Sequence, residues 1–314
     1  MKRLTVRHST VYRYARPVEL GQHRLMLRPR DSHDLRLVEA ELTLSPPGTM
    51  RFLHDVFGNS VALVEFAQPA TELSIVSTLT LERYALARID AAIDAQAESY
   101  PFVYSADDRT DLGRLLERHY PDSRGVVDQW ARQFTSRLPT STLDLLATMN
   151  KTIHDTFTYR SRDQEGTQAP LETLEKKSGS CRDYALLFME AARSLGFGAR
   201  FVSGYLYDPA LDGGTPHQGA GSTHAWAEVY LPGAGWIEFD PTNELIAGES
   251  LIRVAVTRDA AQAVPISGSF NGVPGDYLGM QVEVVVSASG ATPPSPLPAL
   301  PATQNGQPTG PTGN

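Results

Sequence analysis

Ser180-Cys181-Arg182-Asp183-Tyr184-Ala185-Leu186-Leu187-Phe188-Met189-Glu190-Ala191-Ala192-Arg193-Ser194-Leu195-Gly196 holds the single cysteine of this 314-residue chain, and its reading decides the rest. From Tyr184 the apolar positions recur at 184, 187, 188, 191, 192 and 195, the spacing of one buried helix face. Gly196 is placed to stop that helix. Ser180 and Asp183 have the S-x-x-D spacing of a capping box, which predicts Cys181 in the first turn. Free backbone N–H groups and the positive end of the helix dipole there favour a thiolate, the nucleophilic form of cysteine. A lone cysteine is otherwise most often a small core residue.

The residues beyond the helix bear on that choice. Ala199-Arg200-Phe201-Val202-Ser203-Gly204-Tyr205-Leu206-Tyr207 reads as a strand, succeeded by a Gly-rich loop over 208–222 that includes Gly213 and Gly214. His224-Ala225-Trp226-Ala227-Glu228-Val229-Tyr230-Leu231 reads as a second strand. The turn Pro232-Gly233-Ala234-Gly235 leads into Trp236-Ile237-Glu238-Phe239-Asp240, which Pro241 ends. This pattern predicts a hairpin with His224 and Asp240 at its open end. A turn centred near Pro232-Gly233 sets His224 beside Asp240, although the glycines of the turn permit other registers.

Cysteine, histidine and aspartate supply a nucleophile, a base that takes its proton, and a carboxylate that orients the base. Trp226, two residues beyond His224, shares its strand face and is read either as a shield against water or as plain core. Arg182 reads as a solvated charge, with a substrate carboxylate or relief of Asp183's effect on the thiolate as its other roles. Asn243 reads as a turn residue that could orient the base in place of Asp240.

Four blocks in order resemble the bacterial transglutaminase-like superfamily: Gly179-x-Cys181-x-Asp183, Leu195-Gly196-x-x-Ala199-Arg200-x-x-x-Gly204-Tyr205, His224-Ala225-Trp226-x-Glu228-Val229, and Gly235-Trp236-x-x-x-Asp240-Pro241-Thr242. Upstream, His8-x-Thr10-x-Tyr12-x-Tyr14, Leu27-Arg28-Pro29-Arg30 and Asp55-x-x-Gly58-Asn59 are similar to the β-rich domain that precedes the catalytic domain in one bacterial subgroup. The resemblance implies Cys181 as nucleophile, His224 as general base and then acid, and Asp240 as orienter. It also implies that Tyr159 lies near the thiol, where its hydroxyl and the Cys181 N–H could stabilise an oxyanion; packing at a helix end is the other reading.

The fold expected is α+β: an N-terminal antiparallel β-sandwich (1–90), then a transglutaminase/papain-like catalytic domain with a helical part and an antiparallel sheet (91–286). A disordered Pro/Gly-rich tail is expected over 287–314. Alternation at 6–14 and 73–81 predicts strands of the sandwich, and residues 85–101 read as a weakly helical connector. Three helices, divided by Pro121 and Pro139, are expected over 111–159. Residues 264–266 and 281–286 are read as a last pair of strands closing the catalytic sheet.

A net charge of −8 argues against nucleic acid or an anionic membrane as the main partner. No apolar run is long enough to span a bilayer, and no signal-peptide pattern comes after Met1, so a cytoplasmic location is expected. The remaining histidines are scattered without zinc-site spacing, and no nucleotide fingerprint is present, so neither metal nor cofactor is expected. The implied chemistry is acyl transfer on the amide or peptide bonds of a peptide or protein, ending in hydrolysis or, with an amine acceptor, in transamidation. A non-catalytic peptide-binding module is the reading from another class. The oligomeric state has no signature in the sequence.

Overall fold

The computed structural model describes residues 1–84, 93–161, 166–208, 210, 217–219, 221–248 and 250–288. Gly213, Gly214 and the expected tail beyond residue 288 lie outside these, as does part of the expected connector. At its near end, 287–288 belong to a strand rather than to a tail.

The first unit is the expected antiparallel sandwich. Strands Lys2–Leu20, Ala70–Arg83, Leu35–Ser45 and Tyr277–Ala288 form one sheet; His23–Arg28, Ser60–Phe66, Gly48–His54 and Ile266–Ser267 form the other. Period-two alternation does the sorting. Leu4 and Val6, paired with Leu81 and Leu79, are buried, while Arg3 and Arg7 face outward. The C-terminal strands correct the sequence reading. Residues 266–267 pair with 24–25, and Tyr277–Ala288 pairs with the first strand from Leu4↔Ala288 to Arg13↔Gly279. They complete the sandwich rather than the sheet of the second unit, because the even-numbered residues Val282, Val284 and Val286 continue the apolar face of the first strand.

The second unit is built on a five-stranded antiparallel sheet in the order Leu245–Ile246, Gly235–Asp240, His224–Leu231, Ala199–Leu206, Leu251–Thr257. Against one face lies the central helix Cys181–Ser194. It ends in a Schellman motif: Phe197 N–H donates to Ala192 C=O (3.1 Å), Gly196 N–H to Arg193 C=O (2.9 Å), and Gly196 has φ +91°. The sequence predicts one buried face, yet every residue from Asp183 to Arg193 is buried. Helices Val126–Arg132, Thr142–Thr156 and Pro170–Lys176 cover the side away from the sheet. Glu190 is tolerated there because it meets Arg193 at 2.9 Å and accepts the His119 and Tyr120 N–H groups.

The helical segment also differs in detail. Its first helix starts at Ala106, before the expected position, because Ser105 Oγ caps Asp108 N–H (3.0 Å); it stops at Gly113, whose φ is +46°. Pro170–Lys176 carries no long apolar period and is not legible as a helix. Ser99–Tyr100, in the expected connector, is a short strand paired with Thr140–Ser141.

The two units share a core. Leu4, Val6, Leu79, Leu81, Val284 and Val286 pack with Tyr205, Tyr207, Ile252 and Val254 of the second unit's sheet. The upstream motif residues lie at this junction. Asp55 accepts the Phe57 and Asn59 N–H groups (3.0 and 2.9 Å), and Asn59 then pairs with the backbone of Val256 through both its amide atoms (2.7 and 2.9 Å). Gly58 is required at φ +73°, where a Cβ would fall 2.1 Å from the Arg30 guanidinium. His8 places Nδ1 3.0 Å from the Tyr205 hydroxyl and Nε2 3.0 Å from Thr10 Oγ1. No described helix is long and apolar enough to cross a membrane.

Burial pushes the His8 pKa down to about 4, so the folded protein holds a neutral imidazole. The unfolded chain binds that proton near pH 6.5 and the folded one does not, so stability falls as pH drops through this window. His8→Gln is expected to remove about 2–3 kcal/mol of the stability lost between pH 7 and 4.5. Urea unfolding midpoints at the two pH values check this; identical pH dependence in both proteins would contradict it.

Candidate active site

Cys181 is the first residue of the central helix, 6% exposed, with Ser180 as the cap. Asp183 explains the motif around it. Its carboxylate accepts the Ser180 N–H (2.8 Å), the Ser180 hydroxyl (3.0 Å) and the Gln168 N–H (2.7 Å), and it is fully buried. These bonds turn the Asp183 charge toward the helix cap and the 166–169 segment. Gly179 makes room for this: a Cβ there would lie 2.7 Å from Asp183 Cβ. A short parallel pair, Thr158–Tyr159 with Ser178–Gly179, brings Tyr159 alongside the helix start.

The hairpin register is set by a three-residue connection, 232–234, between the pair Leu231↔Gly235. Asp240 therefore lies opposite the position of Trp226 rather than His224, two residues from the placement a turn at Pro232-Gly233 implies. A shift of two keeps both side chains on one face. The diagonal contact is made: His224 Nε2 is 2.8 Å from Asp240 Oδ2. Asp240 also accepts the Thr242 N–H at Oδ1 (2.9 Å) and the Asn243 side-chain amide at Oδ2 (2.9 Å).

Burial opposes charge on the His224 ring, but the Asp240 carboxylate and its hydrogen bond outweigh it, with a further contribution from Cys181, and push the pKa up to about 10. Asp240 is likewise fully buried, and its partners, His224 first, hold its carboxyl below the usual range against that burial. With Nε2 committed to Asp240, Nδ1 is the uncommitted ring atom; it makes no full hydrogen bond to the described residues. A methyl group on Gly219 would lie 3.2 Å from Nδ1 and 3.3 Å from the Tyr159 hydroxyl, so Gly219 roofs the space between them. Tyr159 is held protonated by burial and by the Cys181 and Asp240 charges, which keeps its hydroxyl a donor.

Trp226 stacks on His224 with ring centroids 6.0 Å apart at 29° and is fully buried, covering one face of the imidazole. Gly204 admits it, since a Cβ there would meet the indole at 2.7 Å and Ile252 O at 2.1 Å. Arg182 is not a solvated charge. Its guanidinium donates to the Ala260 and Ala263 carbonyls (2.6 and 3.4 Å) and lies 4.9 Å over the Phe201 ring, pinning the helix start to the 260–263 turn. Asn243 does more than turn the chain. Besides holding Asp240, it accepts the Gln218 N–H (2.7 Å) and donates to the Gln218 carbonyl (3.3 Å), tying the 217–219 segment to the carboxylate. Gln168, Gly219 and this clamp were not legible in the sequence; only the glycine of Gly179-x-Cys181-x-Asp183 hinted at the crowding. His154, Asp155 and Glu244 converge within 4.8 Å, but Lys151 already ion-pairs with both carboxylates (3.1 and 3.0 Å) and supplies their positive partner.

Residues 128–241 match the model of the transglutaminase-like superfamily, and residues 4–82 match that of the bacterial transglutaminase-like N-terminal region. The chain belongs to the transglutaminase-like superfamily and carries that N-terminal region. Among similar proteins, the uncharacterized protein Rv2569c of Mycobacterium tuberculosis is 29% identical over 276 residues, 85% of this chain and 87% of its own. The uncharacterized protein ML0607 of Mycobacterium leprae is 28% identical over 301 residues, covering 90% and 99%. A crystal structure of a candidate cysteine protease from Cytophaga hutchinsonii shares the fold, with a TM-score of 0.69 at 20% identity over 93% of each chain.

The raised His224 pKa depends chiefly on one charge overcoming burial. The stability this pair contributes is complete between the unfolded carboxyl value near 3.8 and the unfolded histidine value near 6.5; it is lost as pH rises through about 10 and again as pH falls below the carboxyl range. Asp240→Asn removes the charge and keeps the shape, so the His224 pKa is expected to fall by two units or more. Titration of the 15N-labelled imidazole by NMR reads this directly, and an unmoved pKa would exclude Asp240 as its cause.

Proposed function

We propose that this protein is a thiol acyl-transfer enzyme acting on amide or peptide bonds, working as a cysteine peptidase or amidase. The observation that carries the reading is the buried His224–Asp240 pair, which leaves Nδ1 free next to a cysteine at a helix N-terminus.

The Cys181 Sγ attacks the substrate carbonyl carbon. The oxyanion that forms is met by the Cys181 N–H, which has no intrahelical acceptor, and by the Tyr159 hydroxyl. His224 passes its Nδ1 proton to the departing amine as the C–N bond breaks, leaving a thioester. A water molecule then gives its proton to Nδ1 and attacks the thioester, releasing the acid and returning the proton to the pair. Asp240 holds the ring in one tautomer and orientation, and Trp226 and Gly219 keep bulk water from the ring. The expected substrates are peptides or proteins, in a cytoplasmic setting that keeps Cys181 reduced; no cofactor takes part in this sequence of steps.

A peptide pool incubated with the protein, with and without an added primary amine, is expected to show hydrolysed bonds by mass spectrometry. Amine-linked products in place of hydrolysis would reassign the enzyme as a transamidase. Cys181→Ala is expected to lose activity by a factor on the order of 10⁴ or more, and Asp240→Ala less than His224→Ala. Full activity in Cys181→Ala protein would refute the mechanism.

A further inference from the structure

The last strand, Tyr277–Ala288, is an edge. One side pairs with Lys2–Leu20; on the other side no described strand is paired. The one bond made there within the described residues runs from Val284 N–H to the Gly221 carbonyl (3.0 Å). Backbone groups alternate in direction along a strand, so an outward Val284 means that Met280, Val282 and Val286 also present their N–H and C=O outward.

This edge is largely apolar, and its one charge, Glu283, lies 3.8 Å from Arg7 of the first strand. Leu278 and Met280 are 65% and 53% exposed, and the strand contains neither lysine nor proline, the residues that usually keep an edge from pairing. It also leads to the candidate site. Gly219, which roofs Nδ1 of His224 and the Tyr159 hydroxyl, precedes Gly221 by two residues, and two residues span at most ~7 Å, so the Gly221 rung lies within roughly 15 Å of the imidazole.

We propose that the outward edge at 280–286 binds an extended peptide by strand addition, and that this peptide is the substrate on its way to Cys181. The Val284–Gly221 bond is the first rung of such a ladder, supplied by the chain's own roof segment. Main-chain bonds to Met280 and Val282 extend it, and Leu278 and Met280 grip alternate side chains. The inference rests on the acyl-transfer reading for the fate of the peptide, but the binding itself is measurable without turnover.

The test uses full-length Cys181→Ala protein and a fluorescein-labelled nine-residue peptide of alternating Thr and Lys with a central Gln, read by anisotropy. Val282→Pro deletes one outward donor at a position where an edge strand tolerates proline. It is expected to weaken binding five- to tenfold, the weight of one or two main-chain hydrogen bonds. Gln281→Ala, whose backbone faces the first strand, is expected to change nothing. The same peptide with alternate amides N-methylated is expected to bind at least tenfold more weakly; it decides the matter should the proline variant fail to fold. Equal affinity for methylated and plain peptide, or an unchanged Kd in folded Val282→Pro protein, would overturn the proposal. So would a dimer in sedimentation that Val282→Pro dissolves, because the edge would then belong to a second copy.

Discussion

A thiol at a helix start and an imidazole on a strand can cooperate only if helix and sheet are held at one separation, and here that separation is set by small residues. Ala185, Ala191 and Ala192 of the central helix lie in one core with Ala225 and Ala227 of the strand that begins at His224. These side chains let the two backbones approach closely, while Phe188 stacks on Phe239 with centroids 5.2 Å apart. Emptying such a fully buried aromatic position costs about 3–5 kcal/mol, so the distance is stiffly defined. Every other feature of the site adjusts direction: Asp183 orients the helix cap, Arg182 anchors the first turn, and Asp240 fixes the ring.

A similar constraint governs the junction between the units, where charge has been buried. Arg253 meets Glu228 at 3.0 Å and approaches Asp34, which also binds Arg83 at 2.7 Å. Burial and the neighbouring Glu228 push the Glu238 carboxyl up to about 8, which favours its uncharged form in this crowded cluster. Replacing such networks by apolar residues is often neutral for stability, but breaking one partner is not. The network sets one angle between sandwich and sheet, and with it the line along which the Gly221 segment meets the last strand.

The legible parts obeyed local rules. The central helix, its cap and its Schellman end are written in residues 180–197, and the hairpin in its alternation and turn glycines. The register was off by two because a three-residue connection over 231–233 cannot be distinguished from one over 232–234 in a stretch as turn-rich as Pro232-Gly233-Ala234-Gly235. Contacts between distant segments left no such trace. Arg182 has the composition of a solvated charge, and only the fold supplies the Ala260 carbonyl 78 residues away. The strand at 277–288 looks the same whichever sheet it joins. His8 and Asn59 were recognisable as motif residues, but their work, holding Tyr205 and Val256, appears only when the two units are seen together.

Pairing of the first strand with the last has a consequence for how the chain comes to life. Leu4 meets Ala288, so the sandwich keeps an open flank while most of the polypeptide is being synthesised. Such long sequence separation slows folding, since the closure entropy must be met before the contact stabilises anything. The helix and hairpin of the thiol centre are local and can form earlier, but the face that packs on Leu4 and Val6 stays wet until the final strand arrives. The two units therefore mature together rather than as beads on a string, and neither can be cut free at a simple hinge.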